Sequence, residues 1–390
     1  MADLKKLHLD LCMTSVFRSV LDHPIFTYFE EYFYSEDKDY IIRSYSAMVA
    51  EIYKMGGSLT DAVRRIVFED ENVYIKMRAA GKAVPPAIKE ATVRELSVFS
   101  KFAGLTSDDF MLDLGIDYVS PFASEHCDLA EEYEKRVENI DRHGYGIFAS
   151  SPMFRVDNNG DISPISSIDR VTLDSFVGYE DERSRVMQNT LAFIENKPAL
   201  NVLLYGDAGT GKSSTVKAIS NSLFDRGLRL IELRKDQLDF LPQIMGRISE
   251  NPLKFIIFID DLSFNRSDDN FSMLKAALEG SASAKADNAV IYATSNRRHI
   301  VKETFSDRDG EEVHRNDAMQ EKLSLSERFG LAVMFAKPNK QLYLKIVREL
   351  AERYGVSISS EELDLRAEEF ALRRGNRSPR CAEQFIKSIL

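Results

Sequence analysis

Apolar residues in the first 142 positions recur at the spacing of an amphipathic helix. The aromatic run at 26–34 places three phenylalanines on one helical face, and a second periodic segment covers 59–77. The Pro85-Pro86 pair interrupts the pattern before a third segment at 90–102. The sequence therefore predicts a mostly α-helical N-terminal domain over residues 1–142, and we find no catalytic grouping of residues within it.

From residue 173 onwards the pattern changes to short apolar runs that alternate with amphipathic segments. The run at 253–259 is almost wholly apolar, as expected for a strand covered on both faces. The alternation predicts an α/β core with a parallel sheet over residues 173–336, followed by a helical segment over 337–390. A connector over 143–172, with a small hairpin around Asn159-Gly160, is predicted to join the domains. The predicted strands are 201–205, 228–233, 253–259, 289–293 and 331–335.

The stretch after the first of these strands fits the spacing G-x-x-x-x-G-K-[ST], the Walker A pattern, at every position. Glycines adopt backbone conformations closed to residues with a Cβ, so the N–H groups of such a loop can converge on phosphate. Lys212 adds an ammonium for the β- and γ-phosphates, and Ser213 adds a hydroxyl ligand for Mg²⁺ at a positive helix N-terminus. The alternative, a glycine turn before a helix, leaves the complete match unexplained. The predicted phosphate-binding residues are Gly206, Asp207, Ala208, Gly209, Thr210, Gly211, Lys212, Ser213 and Ser214.

Polar residues end two of the other predicted strands. Asp260 and Asp261 follow the apolar run at 253–259, which is the Walker B pattern. At the carboxyl edge of a parallel sheet a carboxylate can meet a metal ion, so Asp260 is predicted to hold Mg²⁺ together with Ser213. Asn296 ends another strand and is predicted to orient an attacking water at the same edge. The predicted cofactors are therefore ATP and Mg²⁺.

Composition and charge narrow the class of protein. A chain of 390 residues predicts two or three domains, and a formal net charge of −11 argues against a generally basic surface that coats nucleic acid. The three cysteines, Cys12, Cys127 and Cys381, are odd in number and far apart, which is typical of reduced cytoplasmic thiols and matches no metal-binding spacing. No apolar run approaches the roughly 20 residues that span a bilayer. These features predict a cytoplasmic protein without a membrane span.

Three further motifs extend the pattern: Ala-Thr-Ser-Asn at 293–296, Ser-Glu-Arg-Phe-Gly at 326–330 and Gly-Asn-Arg-Ser-Pro-Arg at 375–380. With the two Walker motifs, they make the chain from about residue 172 onwards resemble the AAA+ ATPases. The lead-in at 177–180 is similar to that of an uncharacterised bacterial AAA+ group with a helical N-terminal half. The resemblance implies a P-loop NTPase core with a parallel sheet and a C-terminal helical lid, preceded by a mostly α-helical domain.

The resemblance also implies roles for single residues. Asn296 would be the first sensor, and Arg328 the arginine finger that reaches the nucleotide of a neighbouring subunit. Arg380 would be the second sensor, carried by the lid. A structural ion pair is the alternative for Arg328. The residues implied to lie against the adenine are Val177, Gly178 and Tyr179.

One position departs from the family pattern. AAA+ proteins usually carry a glutamate where Asp261 stands. Because an aspartate is one methylene shorter, its carboxylate would lie about 1 Å further from the attacking water, which predicts slow turnover. Glu279 is a distant candidate for a substitute, but a solvated position at the end of a helical segment explains it better. The predicted catalytic residues are Lys212, Asp261, Asn296 and Arg328.

The sequence thus predicts an ATPase that acts on the β-γ phosphoanhydride bond at a subunit interface and moves an unidentified protein or nucleic acid. A homo-oligomer, as a ring or an open ring, is implied. The alternative is a nucleotide-gated assembly module in which Asp261 makes hydrolysis negligible; a P-loop kinase does not explain Asn296 and Arg328 in this order. The segment 263–271 is a candidate substrate-facing loop, although an ordinary solvated loop explains its polar residues better. The pair Arg297-Arg298 stays open between surface, ring contact and substrate.

Overall fold

The computed structural model divides into two compact units. One comprises Met1–Ser150 with Glu250–Pro252, and the other Ser151–Ser249 with Leu253–Leu390. The segment 263–271, Glu279 and the pair Arg297-Arg298 lie outside the described residues. The structure describes residues 2–34, 37–110, 118–165, 171–262, 274–275, 277–278, 286–296 and 328–390.

The first unit is helical, as predicted. Two of its helices start at short polar side chains: Ser58 accepts a hydrogen bond from the Asp61 N–H at 3.2 Å, and Asn72 accepts one from the Ile75 N–H at 2.9 Å. Because Asn72 caps a new helix, the periodic segment 59–77 is two helices rather than one. The helices are α1 (Ala2–Cys12), α2 (Pro24–Glu31), α3 (Lys38–Lys54), α4 (Leu59–Glu69), α5 (Val73–Ala79), α6 (Pro86–Ala103), α7 (Leu129–Glu138) and α8 (Ile140–His143).

Aromatic side chains form the centre of this unit. Phe26 lies 5.6 Å from Phe99 and 4.8 Å from Phe102, measured between ring centroids, and Phe29 lies 4.8 Å from Phe102. All four rings are buried. The predicted aromatic face of α2 is therefore core packing against α6.

A buried carboxylate holds the chain after α1 against α6. Glu95, which is 7% exposed, accepts hydrogen bonds from the backbone N–H groups of Ser15, Val16 and Phe17 at 2.9–3.1 Å. The Ser15 hydroxyl donates to the same carboxylate at 2.8 Å. One charged side chain thus satisfies three successive N–H groups that helices do not use.

The second unit contains a seven-stranded sheet of order β2-β1-β4-β5-β6-β3-β7. The β1–β2 pair is antiparallel and the other neighbours are parallel. The predicted hairpin at Asn159-Gly160 is present, and its first strand joins the main sheet beside β4. The strands are β1 (Met153–Val156), β2 (Ile162–Pro164), β3 (Val202–Gly206), β4 (Leu228–Glu232), β5 (Lys254–Ile259), β6 (Ala289–Ser295) and β7 (Leu331–Phe335).

The three strands that lead to the predicted site are neighbours, in the order β5-β6-β3. Their apolar residues are almost all buried, because helices of this unit pack against the sheet. Parallel neighbours bring their carboxyl ends to one edge, so the residues after β3, β5 and β6 meet there. The helices are α9 (Glu180–Ile194), α10 (Lys212–Ser222) and α11 (Leu241–Ser249).

A helical lid ends the chain and has its own core. Tyr343, Val347, Ala367, Ala382 and Phe385 are buried in it. The side chains of Asn339, Ser359 and Ser378 each accept a backbone N–H at the start of the three lid helices. The predicted fold class is confirmed: an α/β P-loop core with a C-terminal helical lid, preceded by a helical N-terminal part. The lid helices are α12 (Lys340–Arg353), α13 (Ser360–Arg374) and α14 (Pro379–Ser388).

Candidate nucleotide-binding site

The loop after β3 has the backbone geometry that its glycines permit. Gly206, Gly209 and Gly211 have φ values of 135°, 77° and 91°, in the region that side chains disfavour. A Cβ on Gly206 would lie 2.1 Å from the Phe335 carbonyl oxygen, and one on Gly209 would lie 3.1 Å from the Arg380 Cβ. The loop is therefore pressed between β7 and the lid, and it leads directly into α10, whose N-terminal N–H groups favour anions.

Lys212 begins α10, and its ammonium group turns back over the loop. Nζ donates to the carbonyl oxygens of Gly206 and Asp207 at 3.0 and 2.8 Å and to Asn296 Oδ1 at 3.1 Å. Burial lowers the pKa of Lys212, and the nearby carboxylates of Asp207, Asp260 and Asp261 oppose that effect. The lysine is thus held at the point where the loop and the sheet edge meet.

The other loop residues stabilise this backbone shape. Thr210 Oγ1 donates to the Asp207 carbonyl at 2.9 Å, and the Asp207 carboxylate accepts the Lys337 N–H at 3.1 Å. Ala208 is exposed at the tip of the loop, and Ser214 lies on the side of the lid.

Asp260, at the end of β5, faces the first turn of α10. Its Oδ1 accepts hydrogen bonds from Ser213 Oγ at 2.6 Å, Thr294 Oγ1 at 2.5 Å and the Asp261 N–H at 3.1 Å. A hydroxyl and a carboxylate in direct contact form an oxygen-rich pair of the kind that Mg²⁺ prefers. The two predicted metal ligands, Ser213 and Asp260, are therefore adjacent.

Asp261 lies one residue further, in a strained backbone conformation with φ 52°. Its N–H also donates to Thr294 Oγ1 at 2.9 Å, and its Oδ1 accepts Asn296 Nδ2 at 2.8 Å. Asn296 thus links the carboxylate of Asp261 to the ammonium of Lys212. The predicted base and the predicted first sensor are in contact.

A cavity of about 430 Å³ lies between the phosphate loop and the lid, within the usual size range of ligand pockets, about 300–1,000 Å³. Arg380, on the first turn of α14, lines it, and the Arg380 N–H donates to the Gly209 carbonyl at 3.3 Å. Apolar side chains of α12, Ile346 and Leu350, lie on the lid side.

The lead-in Val177-Gly178-Tyr179 borders the same cavity in part. Val177 belongs to the core of the lid, and Gly178, with φ 77°, has no room for a Cβ because Leu342 Cδ1 would lie 2.8 Å away. Tyr179 stacks on Phe335 at 5.4 Å and donates to the Ala336 carbonyl at 2.6 Å. Burial raises the pKa of the Tyr179 hydroxyl, so the group stays a hydrogen-bond donor. Val177 and Tyr179 thus line the cavity, whereas Gly178 packs against Leu342 of the lid.

Arg328 does not line the cavity beside the phosphate loop. It lines a second cavity, of about 410 Å³, together with Lys197 and Asn201, which precede β3. β7 follows Arg328 and runs parallel to β3, towards the sheet edge at which the phosphate loop lies. The five residues of β7 span about 16 Å at 3.3 Å each, and this length separates Arg328 from that edge. Within one chain Arg328 is therefore at the opposite edge of the sheet from Lys212.

A family model described as "Protein of unknown function (DUF815)" matches residues 149–390. The chain belongs to this family. The match covers the α/β core and the lid, and agrees with the expected resemblance to an uncharacterised group. No curated protein matches the chain.

Solved structures with similar folds include the Thermotoga maritima RuvB Holliday junction branch migration motor, at 17% identity and a TM-score of 0.38. Another is AMPPCP-bound DnaA from Aquifex aeolicus, at 18% identity and a TM-score of 0.40. The matches cover 57% and 56% of this chain and 65% of each solved chain, so less than two thirds of those proteins is represented. At this level of similarity their activities are not transferred to this chain. Among the described residues, no helix has the length and apolar character needed to cross a bilayer.

Several residues at the cavity of this DUF815 protein escaped the sequence analysis. Arg353, on α12, donates to the Ser175 carbonyl at 2.5 Å and to the Asp174 carbonyl at 3.1 Å. Arg183, on α9, lies over the Phe176 ring at 5.3 Å. Both arginines line the cavity. Single arginines on helices carry no sequence signal of this kind, because only tertiary packing brings α9 and the lid helix α12 to the same cavity.

Proposed function

We propose that this chain is an ATPase of the AAA+ type, which binds ATP with Mg²⁺ and hydrolyses the β-γ phosphoanhydride bond to move or remodel a macromolecular partner. The observation that carries the proposal is the contact between the loop and the end of β5. Ser213 lies 2.6 Å from Asp260, and Lys212 reaches Asn296 beside Asp261. The loop, the Ser213–Asp260 pair and Asp261 thus meet at one sheet edge, which supports the roles proposed for them.

In this proposal the backbone N–H groups of residues 208–213 and the positive end of α10 bind the phosphates. Lys212 exchanges its two loop carbonyl partners for phosphate oxygens, which form stronger charge-assisted bonds. Ser213 and Asp260 would hold Mg²⁺, which when bound supplies positive charge against the triphosphate. The cavity beside Val177 and Tyr179 would take the adenosine part, and Arg380 would contact the phosphates from the lid.

Asp261 is proposed to take the proton of the attacking water, with Asn296 holding its carboxylate in place. The Asn296 amide donates to Asp261 at 2.8 Å, so the carboxylate is oriented before a substrate arrives. The left-handed conformation of Asp261 also changes the direction of its side chain. We propose that this change of direction lets the shorter aspartate act at a position where a glutamate is usual.

The position of Arg328 favours an oligomer. Because it lies about 16 Å from the loop edge, estimated from the length of β7, its guanidinium cannot reach the nucleotide of its own chain. We propose that it reaches the nucleotide of a neighbouring subunit in a homo-oligomeric ring or open ring. An arginine supplied in this way is worth about 10³–10⁵ in rate. The partner that such an assembly moves is proposed to be a protein or a nucleic acid.

The second candidate is a nucleotide-gated assembly module with negligible hydrolysis. It is favoured by one observation: Asp261 is a residue with a short side chain whose Oδ1 is already bonded to Asn296. Both candidates predict assembly with ATP. They differ in the wild-type protein, because the module releases phosphate no faster than a control without enzyme.

The test is ATP binding by calorimetry together with phosphate release. Lys212→Ala removes the main point charge on the phosphates, so we expect tight ATP binding to be lost. The matched control is Lys217→Ala, five residues further along α10, where Lys217 pairs with Glu232 at 3.2 Å. If Lys212→Ala binds ATP as the wild type does, the nucleotide site is wrongly assigned.

A further inference from the structure

Three side chains with metal-ligating atoms cluster in the helical unit. His8 and Cys12 lie one turn apart on α1, and Glu30 lies on α2. One ligand atom of each is within 4.8 Å of the other two. The proposed ATPase site does not use these residues, since its loop and carboxylates belong to the other unit.

The spacing of the cluster suits a tetrahedral ion. The His8 Nε2 and Cys12 Sγ atoms are 3.6 Å apart. With bonds of about 2.0–2.1 Å to nitrogen and about 2.3 Å to sulfur, tetrahedral Zn²⁺ separates two such ligands by about 3.6 Å. Glu30 has to approach by no more than about 1.5 Å to reach the corresponding oxygen separation, which a change of side-chain rotamer provides.

Neighbouring side chains contact two of the proposed ligands. The His8 ring stacks on Phe33 at a centroid distance of 4.7 Å and meets Phe29 edge-on at 6.3 Å. The Tyr34 hydroxyl donates to Glu30 Oε1 at 2.6 Å, as outer partners of metal ligands commonly do.

We propose that His8, Cys12 and Glu30 bind one divalent cation of the zinc class. Imidazole and thiolate ligands select such ions over Mg²⁺ and Ca²⁺, which prefer oxygen. Cys12 is exposed, so the fourth position faces solvent and is filled by water or by a ligand from a partner. Binding releases the thiol proton of Cys12 and ties α1 to α2.

The experiment uses the full chain after treatment with a chelator, titrated with Co²⁺ as a spectroscopic substitute for Zn²⁺. Thiolate-to-cobalt absorption reports a bound cysteine, and cobalt at Ser213 and Asp260 would not produce it. We expect this absorption to saturate at one equivalent and to disappear when Zn²⁺ is added. The main variant is Cys12→Ser, because Cys12 is exposed and can be replaced without disturbing the core.

Each variant changes one proposed ligand or its neighbour, and Glu31→Gln is the control for Glu30→Gln. We expect Cys12→Ser to abolish the absorption, and Glu30→Gln to weaken binding at least about 100-fold, since losing even an outer partner costs about 10- to 100-fold. Tyr34→Phe removes the hydrogen bond to Glu30 and should weaken metal binding by about 10- to 100-fold. Glu31→Gln, next to Glu30 on α2, should bind as the wild type does.

Two results would overturn the proposal, with circular dichroism showing that each variant is folded. One is the lack of thiolate-to-cobalt absorption in the wild type at one equivalent. The other is equal binding by Glu30→Gln and Glu31→Gln. Neither result bears on the ATPase, whose residues all lie in the other unit.

Discussion

Thr294 is the residue through which the site can be perturbed most selectively. Its side chain is 1% exposed, and its hydroxyl donates to Asp260 at 2.5 Å while accepting the Asp261 N–H at 2.9 Å. The variant Thr294→Val keeps nearly the same shape and removes both hydrogen bonds. Both side-chain hydrogen bonds of Thr294 go to the two aspartates, so the effect is expected to pass through them.

The expected magnitude follows from these contacts. A hydrogen bond to a charged group contributes about 1.5–3 kcal/mol. If the whole loss falls on the transition state, at about 1.4 kcal/mol for each factor of ten, turnover falls about 10- to 150-fold. Asp260 keeps its bonds from Ser213 and from the Asp261 N–H, so complete loss of activity is not expected.

The assay is phosphate release at saturating ATP, with Mg²⁺ titrated at fixed ATP. We expect Thr294→Val to bind ATP almost as the wild type does, to require more Mg²⁺ and to turn over more slowly. Thr190→Val is the control, because Thr190 is also fully buried and bonded to Tyr292 on β6, away from the aspartates. Wild-type turnover with unchanged Mg²⁺ dependence in Thr294→Val would refute the reasoning.

Three further predictions follow from the described contacts. Arg328→Ala should bind ATP but lose about 10³–10⁵ in turnover, and mixing it with Lys212→Ala should partly restore phosphate release; no recovery at any ratio would argue against a shared site. Asp261→Asn should retain ATP binding and stop hydrolysis, and unchanged phosphate release would show that another group activates the water. Glu95→Gln should lower the free energy of unfolding by about 1.5–3 kcal/mol in denaturant titration, because one of two accepting oxygens becomes a donor facing N–H groups. Glu90 is exposed on α6, so Glu90→Gln should have little effect on the free energy of unfolding. An equal loss of stability in the two variants would contradict the role of Glu95.

The proposed nucleotide site was predictable because its signals are local. The spacing from Gly206 to Ser213 determines a loop whose glycines must adopt positive φ, and three of them do. Asp260 and Asn296 each end an apolar strand. Parallel strands deliver their ends to one edge, so the sequence was enough to predict that these residues meet.

Features that depend on tertiary packing were not predictable in the same way. The strand Met153–Val156 looked like part of a connector, because nothing within it specifies pairing with β4. Arg353 and Ile346 reach the cavity only through the packing of the lid. The role of Thr294 depends on two backbones approaching across neighbouring strands. His8 and Cys12 have helical spacing, but their third partner comes from another helix.

The contacts of Lys212 connect the proposed phosphate-binding loop to the proposed catalytic base, Asp261. Asn296 accepts from the Lys212 ammonium at 3.1 Å through Oδ1 and donates to Asp261 at 2.8 Å through Nδ2. A single amide therefore joins the group proposed to bind phosphate to the group proposed to activate water. In the proposed function, phosphate draws the ammonium away from the loop carbonyls, so Lys212, Asn296 and the Asp261 carboxylate are expected to respond together. This arrangement explains physically why an amide, which donates and accepts at once, suits the end of β6.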